Sequence, residues 1–354
     1  MENMKMKFQQ ALQFLLEQEK QRHEAIKAKE DVCPVPPYHI YVEPTNACFL
    51  KCVFCVEKAQ KGDKIGYLTY DMWKKIADAL SDARIYSPIN IIGRGEPLMH
   101  RKLPEFVTYG SQKELNCSII TNGVILKREL SERLIDAGIK KIQFSLHAHS
   151  RDTYKKLTGF DYYDRVKQNI LDLVDINHAC GKPCFINVMS VENSINKHES
   201  EEFKSYWNDV VDNCFVTPLY SVQGTSKMSQ EAMETTFSES NPESHPGCVN
   251  PWIFMGFRFD GSIIPCPYDF PGTFVVGHVM DEGFDLMAVW NSKEIKKLRK
   301  CQLSGDFAFA KQVRYACEHC DVPFASDSYK GLGEYTNNFP VVFSRMFGPI
   351  LQNA

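Results

Sequence analysis

Three cysteines stand at the spacing Cys48-x3-Cys52-x2-Cys55, and four more form a second group: Cys248, Cys266 and the pair Cys317-x2-Cys320. Packing calls for no such clustering, because a structural cysteine behaves as a small apolar residue. In a reducing compartment, grouped thiols point to metal binding or catalysis rather than disulfides. Three thiolates fall one short of a closed tetrahedral zinc site. On a four-iron cluster they leave one iron open, able to bind and activate a ligand. The second group supplies four thiolates, enough to close either one cluster or one zinc site. The remaining six of the thirteen cysteines are dispersed and read as buried apolar residues.

These groups need elements to position them. Apolar runs at 39–43, 88–93, 116–121, 141–146, 184–191 and 213–217 read as six strands. Helical patterns alternate with them near 69–80, 102–112, 129–137, 151–177 and 198–208. Six strands in strict alternation with helices argue for an α/β fold with a parallel sheet, which a partial (β/α)6, TIM-like barrel accommodates. The first cysteine group falls in the loop after the first strand. Asp260-Gly261 marks a hairpin that delivers Cys266.

The expected organisation is an N-terminal helical extension (1–37), the partial barrel (38–220) and a linker (221–247). A small α+β cysteine module (248–325) and a tail (326–354) follow. Length suits one catalytic domain with a smaller module. A formal net charge of -3 over 354 residues gives no reason to expect nucleic acid or a membrane as partner. With no secretory signal and no run of about 18 apolar residues, a cytoplasmic protein is expected.

The first cysteine group, with its context, resembles the radical S-adenosylmethionine (SAM) superfamily, whose signature is this spacing. The resemblance implies a [4Fe–4S] cluster on Cys48, Cys52 and Cys55, with SAM chelated at the open iron. Gly95-Glu96 after the second strand is similar to the family element that binds the methionine amino group; a carboxylate suits an ammonium. Asn122, at the end of the third strand, matches another family element, and Ser145 on the fourth strand stands where members contact SAM. Asn187 on the fifth strand is a further SAM candidate. Phe54 matches the aromatic whose backbone lies near adenine. Two positions depart from the pattern. His147 stands where an Asp is frequent, and Thr158-Gly159 replaces an Arg-Gly pair, so Lys155 or Lys156 is a candidate for the SAM carboxylate.

The second group resembles the "twitch" module, a shortened relative of the SPASM module, and implies one auxiliary [4Fe–4S] cluster on Cys248, Cys266, Cys317 and Cys320. A zinc ribbon is the alternative for the same four residues. Trp290-Asn291-Ser292 and Leu298-Arg299 resemble the closing helix of that module. Asn196, Glu199, Phe203 and Trp207 resemble a helix frequent in the subgroup.

The resemblance implies an oxidoreductase in which a 5′-deoxyadenosyl radical removes a substrate hydrogen. A cluster saturated by four cysteines suits electron transfer. The leading expectation is therefore two-electron oxidation of a secondary alcohol on a sugar-like or aminocyclitol substrate. Radical epimerisation is one alternative, with Cys117, Cys184 or Cys214 as hydrogen donor. Modification of a ribosomally made peptide is another, and a metal scaffold or iron–sulfur carrier is the non-enzymatic one. Other catalytic candidates are His147, His149 and Arg94. An electron donor such as flavodoxin or ferredoxin is implied as partner.

Overall fold

The run His39-Ile40-Tyr41-Val42 forms strand β1 in the computed structural model, which describes residues 2–55, 64–219, 247–269 and 272–312 together with Cys317 and Cys320. Five strands follow in parallel: β2 (Ile89–Ile91), β3 (Cys117–Thr121), β4 (Lys141–Ser145), β5 (Phe185–Glu192) and β6 (Asn213–Pro218). The helices that return the chain are α2 (Tyr70–Asp82), α3 (Leu103–Gln112), α4 (Arg128–Asp136), α5 (Arg151–Thr158), α6 (Tyr163–Ala179) and α7 (Ser200–Asn208). This is the expected parallel partial barrel. The helical segments expected within 151–177 are two helices, parted at Gly159, whose φ of +78° is a conformation glycine adopts at no steric cost.

Strand alternation separates two faces. Ile40 and Val42 are fully buried in the core, whereas His39 and Tyr41 line a cavity inside the barrel. Trp73 of α2 stacks on Phe106 of α3 and donates its Nε1–H to the Phe106 carbonyl, fixing the helix layer.

The C-terminal module does not stand apart. After α8 (Asn250–Ile253), strand β7 (Phe254–Phe257) pairs parallel with the free edge of β1, then turns back antiparallel through β8 (Ser262–Ile264) and β9 (Gly277–His278). One nine-stranded sheet results, in the order β6-β5-β4-β3-β2-β1-β7-β8-β9. The expected hairpin at Asp260-Gly261 is present, with Gly261 at φ +87°. Helices α9 (Leu286–Trp290), α10 (Lys293–Ser304) and α11 (Ala308–Gln312) close the module.

Helix α1 (Glu2–Lys27) buries Leu15, Ala25 and Ile26. Its Arg22 lies over the Tyr38 ring and donates to the Pro36 carbonyl. Arg299 of α10 is fully buried and binds the carbonyls of Asp31, Pro251 and Trp290, so one guanidinium ties the N-terminal segment to the module. The expected linker, save Gly247, and the tail 326–354 lie outside the described residues.

Candidate active site and metal centres

The loop carrying the first three cysteines is held from both sides. On one side, Lys51 N–H and Val53 N–H donate to the carbonyls of Thr158 and Leu157, the last carbonyls of α5, at 3.0 and 2.9 Å. Those carbonyls have no partner inside the helix and need one. On the other side, Glu96 N–H donates to the Ala47 carbonyl at 2.7 Å. A Cβ on Gly95 would stand 2.3 Å from the Thr45 carbonyl oxygen, so only glycine permits this approach. Cys48, Cys52 and Cys55 are partly exposed on this clamped loop. Among the described residues, no three His, Cys, Asp or Glu side chains converge on one ion; a cluster gives each thiolate an iron of its own.

Glu96 is buried. One carboxylate oxygen accepts from Thr121 Oγ1 at 2.6 Å and Leu98 N–H at 3.0 Å, and the other from Asn122 N–H at 2.8 Å. Burial raises its pKa while these donors lower it. The Asn122 side chain accepts from Val124 N–H and so shapes the turn. A carboxylate has about four acceptor positions, so Glu96 retains capacity for an ammonium group. Ser145 ends β4 beside Met189. Asn187 is buried, with Nδ2 3.5 Å from Gln143 Oε1 and no partner for its Oδ1 among the described residues.

Several catalytic candidates take other roles. His147 sits at φ +62°, its Nδ1 accepts from Val191 N–H at 3.1 Å, and its ring packs edge-on to Phe54 at 5.0 Å. Burial lowers its pKa to about 4. Its basic lone pair is occupied, so it is a fixed, neutral wall rather than a general base. Asn196 Nδ2 donates to the His147 carbonyl, and Glu199 accepts from the N–H groups of His149 and Ser150. The segment resembling a subgroup helix thus pins the loop after β4. His149 serves there through its backbone.

Cys214 pairs in register with Val188, on the opposite face of β5 and β6 from Asn187 and Met189. Its thiol is pushed up to about 11 by burial and feels Lys204 of α7, so it faces the helix layer. A Cβ on Gly110 of α3 would meet Cys117 Sγ, and Cys184 N–H donates to Asn177 of α6. None of the three donor candidates faces the barrel interior. Lys155 and Lys156 are exposed on α5, a solvated helix face.

The second group assembles around Cys317, whose thiol is pushed far up by burial and then by Cys266, Cys248 and Cys320. Burial raises Cys248 to about 11, against hydrogen bonds from Asn250. Tyr268 N–H points at Cys266 Sγ at 3.4 Å, and Cys248 N–H donates to Gln302 Oε1 at 2.9 Å. Four half-buried thiols that feel one another, with donors at Cys248, Cys266 and Cys317, suit iron, which offsets the charge they carry as thiolates.

A cavity of about 290 Å³ lies along β1 and β7 and past the end of β2. Glu43, Gly93 and Arg94 border it at the strand ends near the first group; Asn250, Pro267 and Tyr268 border it beside the second. Arg94, a catalytic candidate from the sequence, makes an ion pair with Glu43 here. Glu43 Oε1 accepts from Arg94 N–H at 2.8 Å and from its Nε at 3.4 Å, while Glu43 Oε2 lies 4.0 Å from Arg258 Nε. Nothing in the sequence pairs Glu43 with Arg258, because β7 reaches β1 only in the folded sheet.

Residues 42–193 match the radical SAM superfamily, and residues 248–321 match the iron–sulfur cluster-binding SPASM domain. The chain thus carries a radical SAM domain and, after it, a SPASM domain, and these imply SAM and two [4Fe–4S] clusters as cofactors. It is 36% identical over 166 residues to a probable GTP 3′,8-cyclase of Saccharolobus solfataricus, covering 45% of this chain and 49% of that one. The chain spans about half the length of that curated relative. In fold it is similar to SuiB of Streptococcus suis bound to SAM, at TM-score 0.59 and 17% identity over 84% of this chain and 75% of that one. It is also similar to BtrN in complex with AdoMet and 2-DOIA, at TM-score 0.53 and 18% identity over 80% and 92%. Among the described residues no helix is long and apolar enough to cross a membrane.

Proposed function

We propose that this chain catalyses the two-electron oxidation of a secondary alcohol on a small, sugar-like or aminocyclitol substrate bound in the cavity between the two cysteine groups. The observation carrying the reading is that the cavity wall runs from Arg94, beside the first cluster loop, to Asn250 and Tyr268, which donate to the auxiliary ligands. When bound, SAM and the two clusters would supply hydrogen-atom abstraction from an unactivated C–H bond and a one-electron acceptor. Cys48, Cys52 and Cys55 hold the first cluster; Glu96 takes the amino group of SAM; Phe54 and His147 wall its other side. Cys248, Cys266, Cys317 and Cys320 saturate the second cluster, leaving it no iron for substrate. Tyr41, Phe254 and Phe257 exclude water from the cavity. The reduced state comes from a small electron-transfer protein such as flavodoxin or ferredoxin.

Relatives named GTP 3′,8-cyclase carry ring closure as a second outcome, and SuiB bound to its precursor peptide carries peptide modification as a third. A cavity near the lower bound for ligand pockets favours a small molecule. Incubation of reduced protein, SAM and candidate alcohols in deuterated water separates these outcomes by mass. A product about 2 Da lighter, formed one-to-one with 5′-deoxyadenosine, is expected. An isomer of unchanged skeleton carrying solvent deuterium indicates epimerisation and overturns the oxidation.

A further inference from the structure

Arg258 lies on the cavity wall at the end of β7, and its side chain is 12% exposed. Among the described residues its guanidinium makes no hydrogen bond: the nearest carboxylate oxygen, Glu43 Oε2, is 4.0 Å away, and the Phe259 ring lies 5.8 Å off. Gly272 abuts the guanidinium so closely that a Cβ there would overlap Arg258 Nη1. The glycine therefore keeps open the space the guanidinium occupies.

The two carboxylates in the same wall make their hydrogen bonds to other groups. Glu43 Oε1 accepts from Arg94 N–H and Nε, and its Oε2 is 3.5 Å from Phe259 N–H. Asp269 accepts from Thr273 N–H and Oγ1 with one oxygen and from Phe274 N–H with the other, at 2.9 to 3.0 Å. Asp269 thereby closes its own loop. A guanidinium is a planar fork of five donors that matches an oxyanion two bonds at a time. Among the described residues the carboxylate partner of Arg258 is Glu43 at 4.0 Å, too long for a hydrogen bond, so its donors stand open to an acceptor that arrives with a ligand.

We propose that Arg258, with Arg94 beside it, binds an oxyanion of the substrate, a carboxylate or a phosphate, so that the substrate is an anion such as a sugar acid or sugar phosphate rather than a cationic aminocyclitol. This rests on the reading that the cavity holds the substrate. The apolar wall of Phe254, Phe257 and Ile264 receives the rest of the molecule, and the anionic group orients it between the two clusters.

The reconstituted full-length protein, kept anaerobic, is titrated calorimetrically with inorganic phosphate and separately with acetate, each at matched ionic strength. Saturable binding of one of them is expected, weakened about tenfold or more in Arg258→Gln. Binding of phosphate alone assigns a phosphate ester; binding of acetate alone assigns a carboxylate. No saturable heat with either anion, or equal affinity in Arg258→Gln, overturns the proposal. If that variant fails to hold its iron, the unmutated protein decides. Phenylglyoxal labelling of Arg258, read by peptide mass mapping, falls in the presence of the binding anion, and undiminished labelling overturns the proposal. SAM cleavage is read on the same wild-type preparations. Cleavage without anion binding removes this inference and leaves the radical reading standing; anion binding without cleavage does the reverse.

Discussion

The backbone N–H of Val53 donates to the carbonyl oxygen of Leu157 at 2.9 Å. The next carbonyl of α5, that of Thr158, accepts from Lys51 N–H at 3.0 Å. The cysteine loop thus caps the C-terminal end of α5, and Gly159 makes the geometry accessible by ending the helix left-handed next to Lys51. A Gly159→Val substitution imposes a strained backbone worth about 1–3 kcal/mol. Urea denaturation is expected to record that loss. Iron analysis should show the first cluster depleted while the auxiliary iron remains.

Glu96 joins three elements through one carboxylate: Thr121 of β3, Asn122 after it, and Leu98 in the turn after β2. Glu96→Gln places an amide donor against an N–H or O–H donor. SAM affinity by equilibrium dialysis is expected to weaken about tenfold or more, with a stability cost of about 1–3 kcal/mol. Unchanged SAM affinity would remove Glu96 from the SAM site.

The His147 imidazole is held neutral by burial, with its pKa lowered to about 4. A histidine depressed below its usual value binds its proton more readily in the unfolded chain. Its contribution to stability is complete above about pH 6.5 and is lost as pH falls towards 4. Between pH 7.5 and 5 this one group accounts for about 2 kcal/mol of lost stability. Denaturation midpoints of His147→Asn should show a flatter pH dependence than wild type across that window. Parallel curves would mean that His147 is already solvated.

Removing one auxiliary ligand separates the two centres. Cys317 feels the charge of the other three thiols of its group, so Cys317→Ala would leave that cluster one thiolate short. Iron is expected to fall from about eight to about four per chain. Uncoupled 5′-deoxyadenosine release persists, while oxidised product is lost. Product formed at wild-type rate in this variant would contradict electron transfer to the auxiliary cluster.

Much of this site was legible in the sequence because its signals are local. Cys48, Cys52 and Cys55 declare themselves by spacing; Gly95 and Glu96 follow a recognisable strand; Asp260-Gly261 announces a hairpin. Readings that needed a direction in space fared worse. Cys214 sits near a strand end, yet strand alternation turns its thiol towards Lys204 and the helices. Lys155 and Lys156 have the right charge for a carboxylate but face solvent. His147 reads as an acid–base candidate until the Val191 amide occupies its Nδ1. The contact between Glu43 and Arg258 joins residues far apart in sequence, and only the pairing of β7 with β1 creates it.

The central claim is that the first three cysteines hold a cluster that cleaves SAM while the last four hold a second cluster. Anaerobic reconstitution with iron and sulfide, reduction and addition of SAM test it directly, with iron and 5′-deoxyadenosine quantified together in wild type and Cys52→Ala. The account predicts about eight irons and steady 5′-deoxyadenosine release in wild type, and about four irons with no release in the variant. Zinc in place of iron, with no SAM cleavage, would contradict it.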